Sequence, residues 1–173
     1  ALAATAVVAG VFMFTAHLSN INPQITTLVP VLKSYWLTIH VSAITGSYGF
    51  LGLGAMLGFM ALLLFIFRNP NKPHIDETKK QITAINEMAL IFGLSFLVVG
   101  NFLGGVWANE SWGRYWGWDP KETWAYVSIV VYTIVLHLRL IKHLNTPFVL
   151  SVASLVAFSS ILMTYFGVNF YLS

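Results

Sequence analysis

Between Lys33 and Arg68 the chain carries no Lys, Arg, Asp or Glu. A membrane-spanning helix needs about 20 mostly apolar residues, so this interval is long enough to cross a bilayer. Inside hydrocarbon every backbone N–H and C=O must be paired within the protein, and for a single apolar run the helix is the form that does this. Comparable runs recur along the chain. With 57% hydrophobic and 9% charged residues overall, a soluble domain is excluded. The fold class expected is all-α: a polytopic membrane bundle of about five helices, forming one domain over residues 1–173.

The first span runs from the start to about His17, and a polar loop with Pro23 and Pro30 follows. The second covers about Tyr35 to Phe67 and holds Gly46, Gly49, Gly52, Gly54 and Gly58, small residues that let helices approach closely. RNPNKPHIDETKKQ (residues 68–81) reads as a short charged loop, and the third span runs roughly from Thr83 to Gly104. The fourth extends from Pro120 to about Lys142, and a turn at Asn145–Pro147 opens the fifth, ending near Leu172. Residues 1–18 lack the basic start and the cleavage site of a signal peptide, so the chain reads as a segment of a longer protein.

The sequence has no cysteine, which excludes disulfides, thiol chemistry and covalent haem attachment to this chain. Its net charge of +3 sits mostly on one side of the membrane and does not point to nucleic acid. Arg68, Lys72, Lys79, Lys80, Arg139 and Lys142 fall at one set of helix ends; Lys33, Arg114 and Lys121 fall at the other. The positive-inside rule places the first set in the cytoplasm, and the loop between spans three and four outside.

That loop, residues 105–122, overlaps the chain's most distinctive stretch, Trp107 to Trp124, which holds five of the six tryptophans. Trp107, Trp112, Trp116, Trp118 and Trp124 are interleaved with Gly113 and Gly117, where bare backbone could meet a flat object. Extended backbone would point Trp116 and Trp118 the same way, and Arg114 and Lys121 add positive charge. Such a surface suits a large planar anion such as haem, with its two propionates. Two or three interfacial tryptophans would need no ligand, because indole partitions there unaided; five among glycines exceed what anchoring requires. Asp119-Pro120-Lys121-Glu122 has the form of a helix start, with Asp as N-cap, Pro at the first position and Glu at the third. Capping is therefore the first role of Asp119, and ligand contact the second.

Of the five histidines, His74 falls in the charged loop, His143 at a helix C-terminus and His17 at an interface. His40 stands about 40 Å above Arg68 along a helix, beyond a hydrocarbon core about 30 Å thick, and so emerges on the side of the tryptophan loop. His137 sits about 7–8 Å inside the opposite end of span four, where an ionisable group is costly and a functional candidate. The two imidazoles are about 30 Å apart in depth and cannot ligate one iron. Glu87, near the start of span three, lies at about the depth of His137 and could accept its second ring N–H, or simply face the headgroups.

VWANESWGRYWGWDPKETWA (residues 106–125) closely resembles the WWD signature of the CcsA/ResC type of cytochrome c biogenesis protein, the haem-handling half of the System II synthase. WLTIHVS around His40 and IVLHLRL around His137 are similar to that family too. The resemblance covers roughly residues 35–173. It implies haem b as the bound substrate, with His40 an axial iron ligand at an outer site faced by Trp112, Trp116, Trp118, Asp119 and Arg114. His137 would be the histidine of an inner site where haem enters. The family's second outer histidine lies beyond Ser173, and the partner of His137 belongs to the CcsB/ResB half, so both sites would be incomplete here.

The activity implied is haem transport, presentation and attachment to the CxxCH segment of apocytochrome c at the outer face, as part of a haem lyase. The catalytic acid and base are unidentified, and the bond-forming chemistry belongs to haem and the substrate thiols. A CcsB/ResB-type subunit or fused half, apocytochrome and membrane lipid are the partners implied, in a bacterial inner or thylakoid membrane. Two other classes stay open: a b-type electron carrier, which needs histidines paired at matched depth, and a cofactor-free scaffold or transporter subunit.

Overall fold

A computed structural model describes residues 2–18, 34–66 and 73–172, and these are helical except at short turns. Of the two expected loops, residues 19–33 and 68–72, with Lys33, Arg68 and Lys72, lie outside the described residues, as do the side chains of His17 and His74. Backbone proximity divides the chain expected to form one domain into two compact units, Ala1–Lys33 and Ser34–Ser173. The first contains α1 (Leu2–Leu18), 17 residues long. The second contains α2 (Tyr35–Ile66), α3 (Pro73–Trp112), α4 (Pro120–His137) and α5 (Pro147–Leu162). A 3-10 turn, Leu138–Leu140, extends α4, and a π-helix, Met163–Leu172, extends α5.

Four of the five expected spans are long and apolar enough to cross a membrane: Tyr35–Ile66, Ile75–Trp112, Pro120–Leu140 and Pro147–Leu172. The third span is much longer than expected. It forms a 40-residue helix, about 60 Å of rise, whose polar first turns are the stretch read as a loop. Asp76 and Lys79 pair at 2.7 Å on one face there, an i,i+3 contact that supports helix in a sequence with little apolar signal.

α2 and α3 pack as an antiparallel pair in one unbroken register. His40 faces Gly104, Ile44 faces Gly100, Leu51 faces Gly93, Gly54 faces Leu90, and Gly58 faces Asn86. Farther on, Lys79 Nζ lies 4.7 Å from the centre of the Phe65 ring. The residue numbers of each pair share one total, and the steps alternate by three, four and seven, the spacing of a coiled-coil seam. A small residue meets a larger one at each of the first five levels, and the roles change over between Leu51 and Gly54. α3 supplies the glycines towards the α3–α4 turn, and α2 supplies them towards the other end. Of the five α2 glycines expected at contacts, Gly46 and Gly49 face open space, while Gly52, Gly54 and Gly58 touch neighbours.

α5 lies on α2 through a face of small residues, with Ser151, Ser154, Ala157 and Ser160 buried. Asn86 Nδ2 donates to Ser154 Oγ at 3.1 Å, and Ser154 Oγ donates to the Ser151 carbonyl at 3.0 Å, tying α3 to α5. Thr164 donates to the Trp124 carbonyl at 3.1 Å and joins the start of α4 to the π-helix. Leu51, Leu90, Leu97, Tyr132 and Ile161 form the apolar centre of the bundle.

Candidate functional site

The turn between α3 and α4 occupies residues 113–119, less than the 105–122 expected, because α3 continues through Trp112. Trp107 and Trp112 thus stand on α3 and Trp124 on α4, leaving Trp116 and Trp118 in the turn itself. Gly113 ends α3 in the left-handed region (φ 70°), its amide donating to the Asn109 carbonyl at 3.0 Å. This is the usual use of glycine at a helix C-terminus.

The expected helix start is present. Asp119 Oδ1 accepts from the Glu122 amide at 2.8 Å, Pro120 begins the helix, and Glu122 Oε2 accepts from the Asp119 amide at 3.4 Å. Glu122 Oε2 also accepts from the Gly117 amide at 2.7 Å, so one carboxylate holds both the cap and the turn before it. Tyr115 anchors the turn on its other side: its hydroxyl donates to the Phe102 carbonyl at 2.9 Å and its ring lies on Gly105.

These anchors change the expected tryptophan surface. Trp118 adopts φ 58°, a left-handed conformation that costs a residue with a β-carbon about 1–2 kcal/mol, and its side chain is 70% exposed. Trp116 and Trp118 do not present two faces to one side: their rings meet edge to face, centroids 5.7 Å apart at 87°. Trp116 Nε1 is buried without a hydrogen-bond partner. Trp107 and Trp112 pack edge to face as well, at 6.4 Å, and Trp112 is 60% exposed. The Gly117 face expected to be bare is covered by the Arg114 guanidinium. Arg114 is itself exposed, and Lys121, in the first turn of α4, is exposed as well.

His40 reaches the same two turns of α3. Its Nδ1 lies 2.7 Å from the Gly100 carbonyl oxygen, and its ring rests on Gly104, the neighbour of the glycine beneath Tyr115. A carbonyl oxygen only accepts, so Nδ1 carries the hydrogen, and in the neutral ring the lone pair is on Nε2. His40, Tyr115 and the tryptophan turn thus converge on residues 100–105 of α3.

His137 ends α4 with an exposed side chain, its Nδ1 2.7 Å from the Thr133 carbonyl, which again leaves Nε2 free. The acceptor is thus its own helix in place of Glu87. The Glu87 carboxylate pairs with Arg139, beside a cleft lined by Thr83, Val135, Asn145 and Pro147. Among the described residues no three His, Asp or Glu side chains converge on a metal position. Each histidine is a single imidazole donor, which suits an iron whose other bonds a macrocycle supplies. An exposed indole, a guanidinium and a free Nε2 at one end of the bundle fit a flat, carboxylate-bearing ligand.

Sequence reasoning did not single out Tyr115, Gly100, Gly104 or Gly105. Their roles depend on how the turn folds back and on the α2–α3 register. Glu122 was legible as a cap, though its bond to Gly117 was not.

The family model for "Cytochrome C assembly protein" matches residues 1–173. "Protein NrfI" of Wolinella succinogenes is 61% identical over 173 residues, covering 100% of this chain and 19% of that protein. "Cytochrome c biogenesis protein CcsA" of Chlamydomonas reinhardtii is 38% identical over 146 residues, covering 84% of this chain and 41% of that one. The CcsA protein of Arabidopsis thaliana is 32% identical over 202 residues, covering 90% and 60% respectively. The chain thus spans less than two thirds of the length of each of these relatives. With four helices able to cross a membrane, it is an integral membrane protein of the cytochrome c assembly family, of the CcsA type.

Proposed function

We propose that this chain binds haem b at the tryptophan turn, with His40 as an axial iron ligand, and presents it for thioether attachment to a CxxCH segment of apocytochrome c. The observation that carries the proposal is the His40–Gly100 hydrogen bond. It leaves Nε2 as the basic nitrogen at the end of the bundle where the tryptophans and Arg114 lie. A metal-ligating histidine ordinarily donates its other ring N–H to a fixed acceptor, which orients the ring and raises its basicity.

The chain's own part is to bind and orient. Trp118 and Trp112 offer apolar ring surface to the macrocycle, and Arg114 offers a forked cation to a propionate. Asp119 and Glu122 hold the backbone of the turn. Haem supplies the vinyl groups to which substrate thiols add. His137 serves an inner site where haem enters, its second ligand coming from a CcsB/ResB-type partner. Lys79, Lys80, Arg139 and Lys142 lie at the end opposite the turn, which supports a cytoplasmic placement there and an outer placement of the turn.

The test is haem binding and haem transfer to a CxxCH peptide by the intact membrane protein, with and without His40→Gly. Loss of both in the variant, restored in part by added imidazole, is the expected result. A variant that binds and transfers haem normally without imidazole would exclude His40 as the ligand, and a wild-type protein that binds no haem would exclude the proposal.

A further inference from the structure

We infer that Gly104 and Gly100 of α3 form a seat that selects the Nδ1–H tautomer of His40 and fixes the direction of its free Nε2. Gly104 is thus a positioning residue for the outer site.

The seat follows from helix geometry. In α3 the carbonyl of residue 100 emerges one turn below residue 104, and a β-carbon at 104 would stand beside it. With glycine at 104 that side of the carbonyl is open. His40 enters from α2 and makes the 2.7 Å bond with Nδ1, although Gly100 O belongs to a helix 60 residues away. A β-carbon built on Gly104 would lie 2.6 Å from His40 Cε1, 2.8 Å from Nδ1 and 3.3 Å from Nε2. All three distances are shorter than ordinary contacts between carbon and these atoms.

The register of the two helices makes the seat specific. His40–Gly104 continues the series Leu51–Gly93 and Ile44–Gly100, so the packing of apolar residues farther along the seam places the imidazole over Gly104. The nearest obstacles to a side chain at 104 are atoms of the His40 ring, with no backbone among them. Alanine there is accommodated by swinging the ring off its seat while the helices stay packed, and alanine also favours helix over glycine. Gly58 differs, since a β-carbon there would lie 2.7 Å from the Ser151 backbone oxygen.

The seat bears on haem only through the ligand role proposed for His40, so the test has a readout that needs no haem. Nitrogen-15 NMR of histidine-labelled, haem-free protein in lipid bilayers reports which ring nitrogen of His40 is protonated. His40→Gln identifies its signal. The expected wild-type result is protonated Nδ1 and unprotonated Nε2; protonated Nε2 in the wild type would overturn the inference, whatever any variant does. Gly104→Ala should shift the population towards the other tautomer or a mixture. Gly46→Ala, which points into open space, should not. A wild-type spectrum in Gly104→Ala would remove Gly104 from the seat.

The second measurement is haem titration. Loss of an outer-shell partner costs about 10–100-fold in affinity for a bound metal, and Gly104→Ala should fall in that range. In a His40→Gly background without imidazole, adding Gly104→Ala should leave the unfolding temperature near that of His40→Gly alone, because the ring that a β-carbon at 104 would displace is absent. A marked fall in unfolding temperature in that background would show a general packing defect and overturn the inference. If the wild type shows the Nδ1–H tautomer yet binds no haem, the proposed function fails while the seat stands.

Discussion

The Gly117 amide donates to Glu122 Oε2 at 2.7 Å, across the turn that joins α3 to α4. The same oxygen accepts from the Asp119 amide, so the side chain that completes the helix cap also sets the path of the backbone that displays Trp118. Glu122→Ala should therefore do more than loosen a cap. Stability should fall by about 1 kcal/mol from the lost capping contact. The near-ultraviolet circular dichroism of the coupled Trp116–Trp118 rings should fall with it. Glu122→Gln keeps an acceptor oxygen and should retain most of that signal; equal loss in both variants would show that charge, and not the hydrogen bonds, holds the turn.

Asp119 caps α4 through its own carboxylate, and any short acceptor can do so. Asp119→Asn and Asp119→Ser should keep thermal stability and haem affinity near wild type, while Asp119→Ala should lose about 0.5–2 kcal/mol. Equal failure of all three in haem titration, with unchanged unfolding temperatures, would assign Asp119 a direct contact with the ligand.

Arg114 covers Gly117 with its guanidinium and is exposed. If it meets a propionate, Arg114→Ala should weaken binding of haem but not of its dimethyl ester, and Arg114→Lys should restore less than half of the difference because lysine lacks the fork. Equal weakening for both ligands would confine Arg114 to shaping the turn.

The glycines of α2 should separate by their surroundings. Gly58→Ala places a methyl against the Ser151 carbonyl and should cost about 1–3 kcal/mol, read as a lowered unfolding temperature in detergent. Gly46→Ala and Gly49→Ala meet nothing within 4 Å and should be neutral or slightly stabilising. A Gly58→Ala protein as stable as wild type would mean that the α2–α5 contact yields without penalty.

The helical class, the order of the spans and the start of α4 are legible in the amino-acid sequence, because each depends on neighbours in the chain. Apolar length decides a span, and Asp119, Pro120 and Glu122 cap a helix through contacts no more than three residues apart. His40 was legible as a candidate from its depth alone. The polar start of α3 reads as a loop in the sequence because the hydropathy falls at residues 73–81, whereas in the fold the Asp76–Lys79 pair and the contact of Lys79 with the Phe65 ring lie along a continuous helix. Trp107 and Trp112, helical in the fold, fall in the loop on a sequence reading, since tryptophan and glycine carry no clear helix signal. That Glu87 meets Arg139, that Gly46 and Gly49 face open space, and that His40 sits over Gly104 emerge from the packing of the folded helices. Those outcomes depend on helix rotation and register. A turn of about 100° per residue moves a side chain from one neighbour to another while leaving the hydropathy of the span unchanged, so composition and depth cannot choose among them.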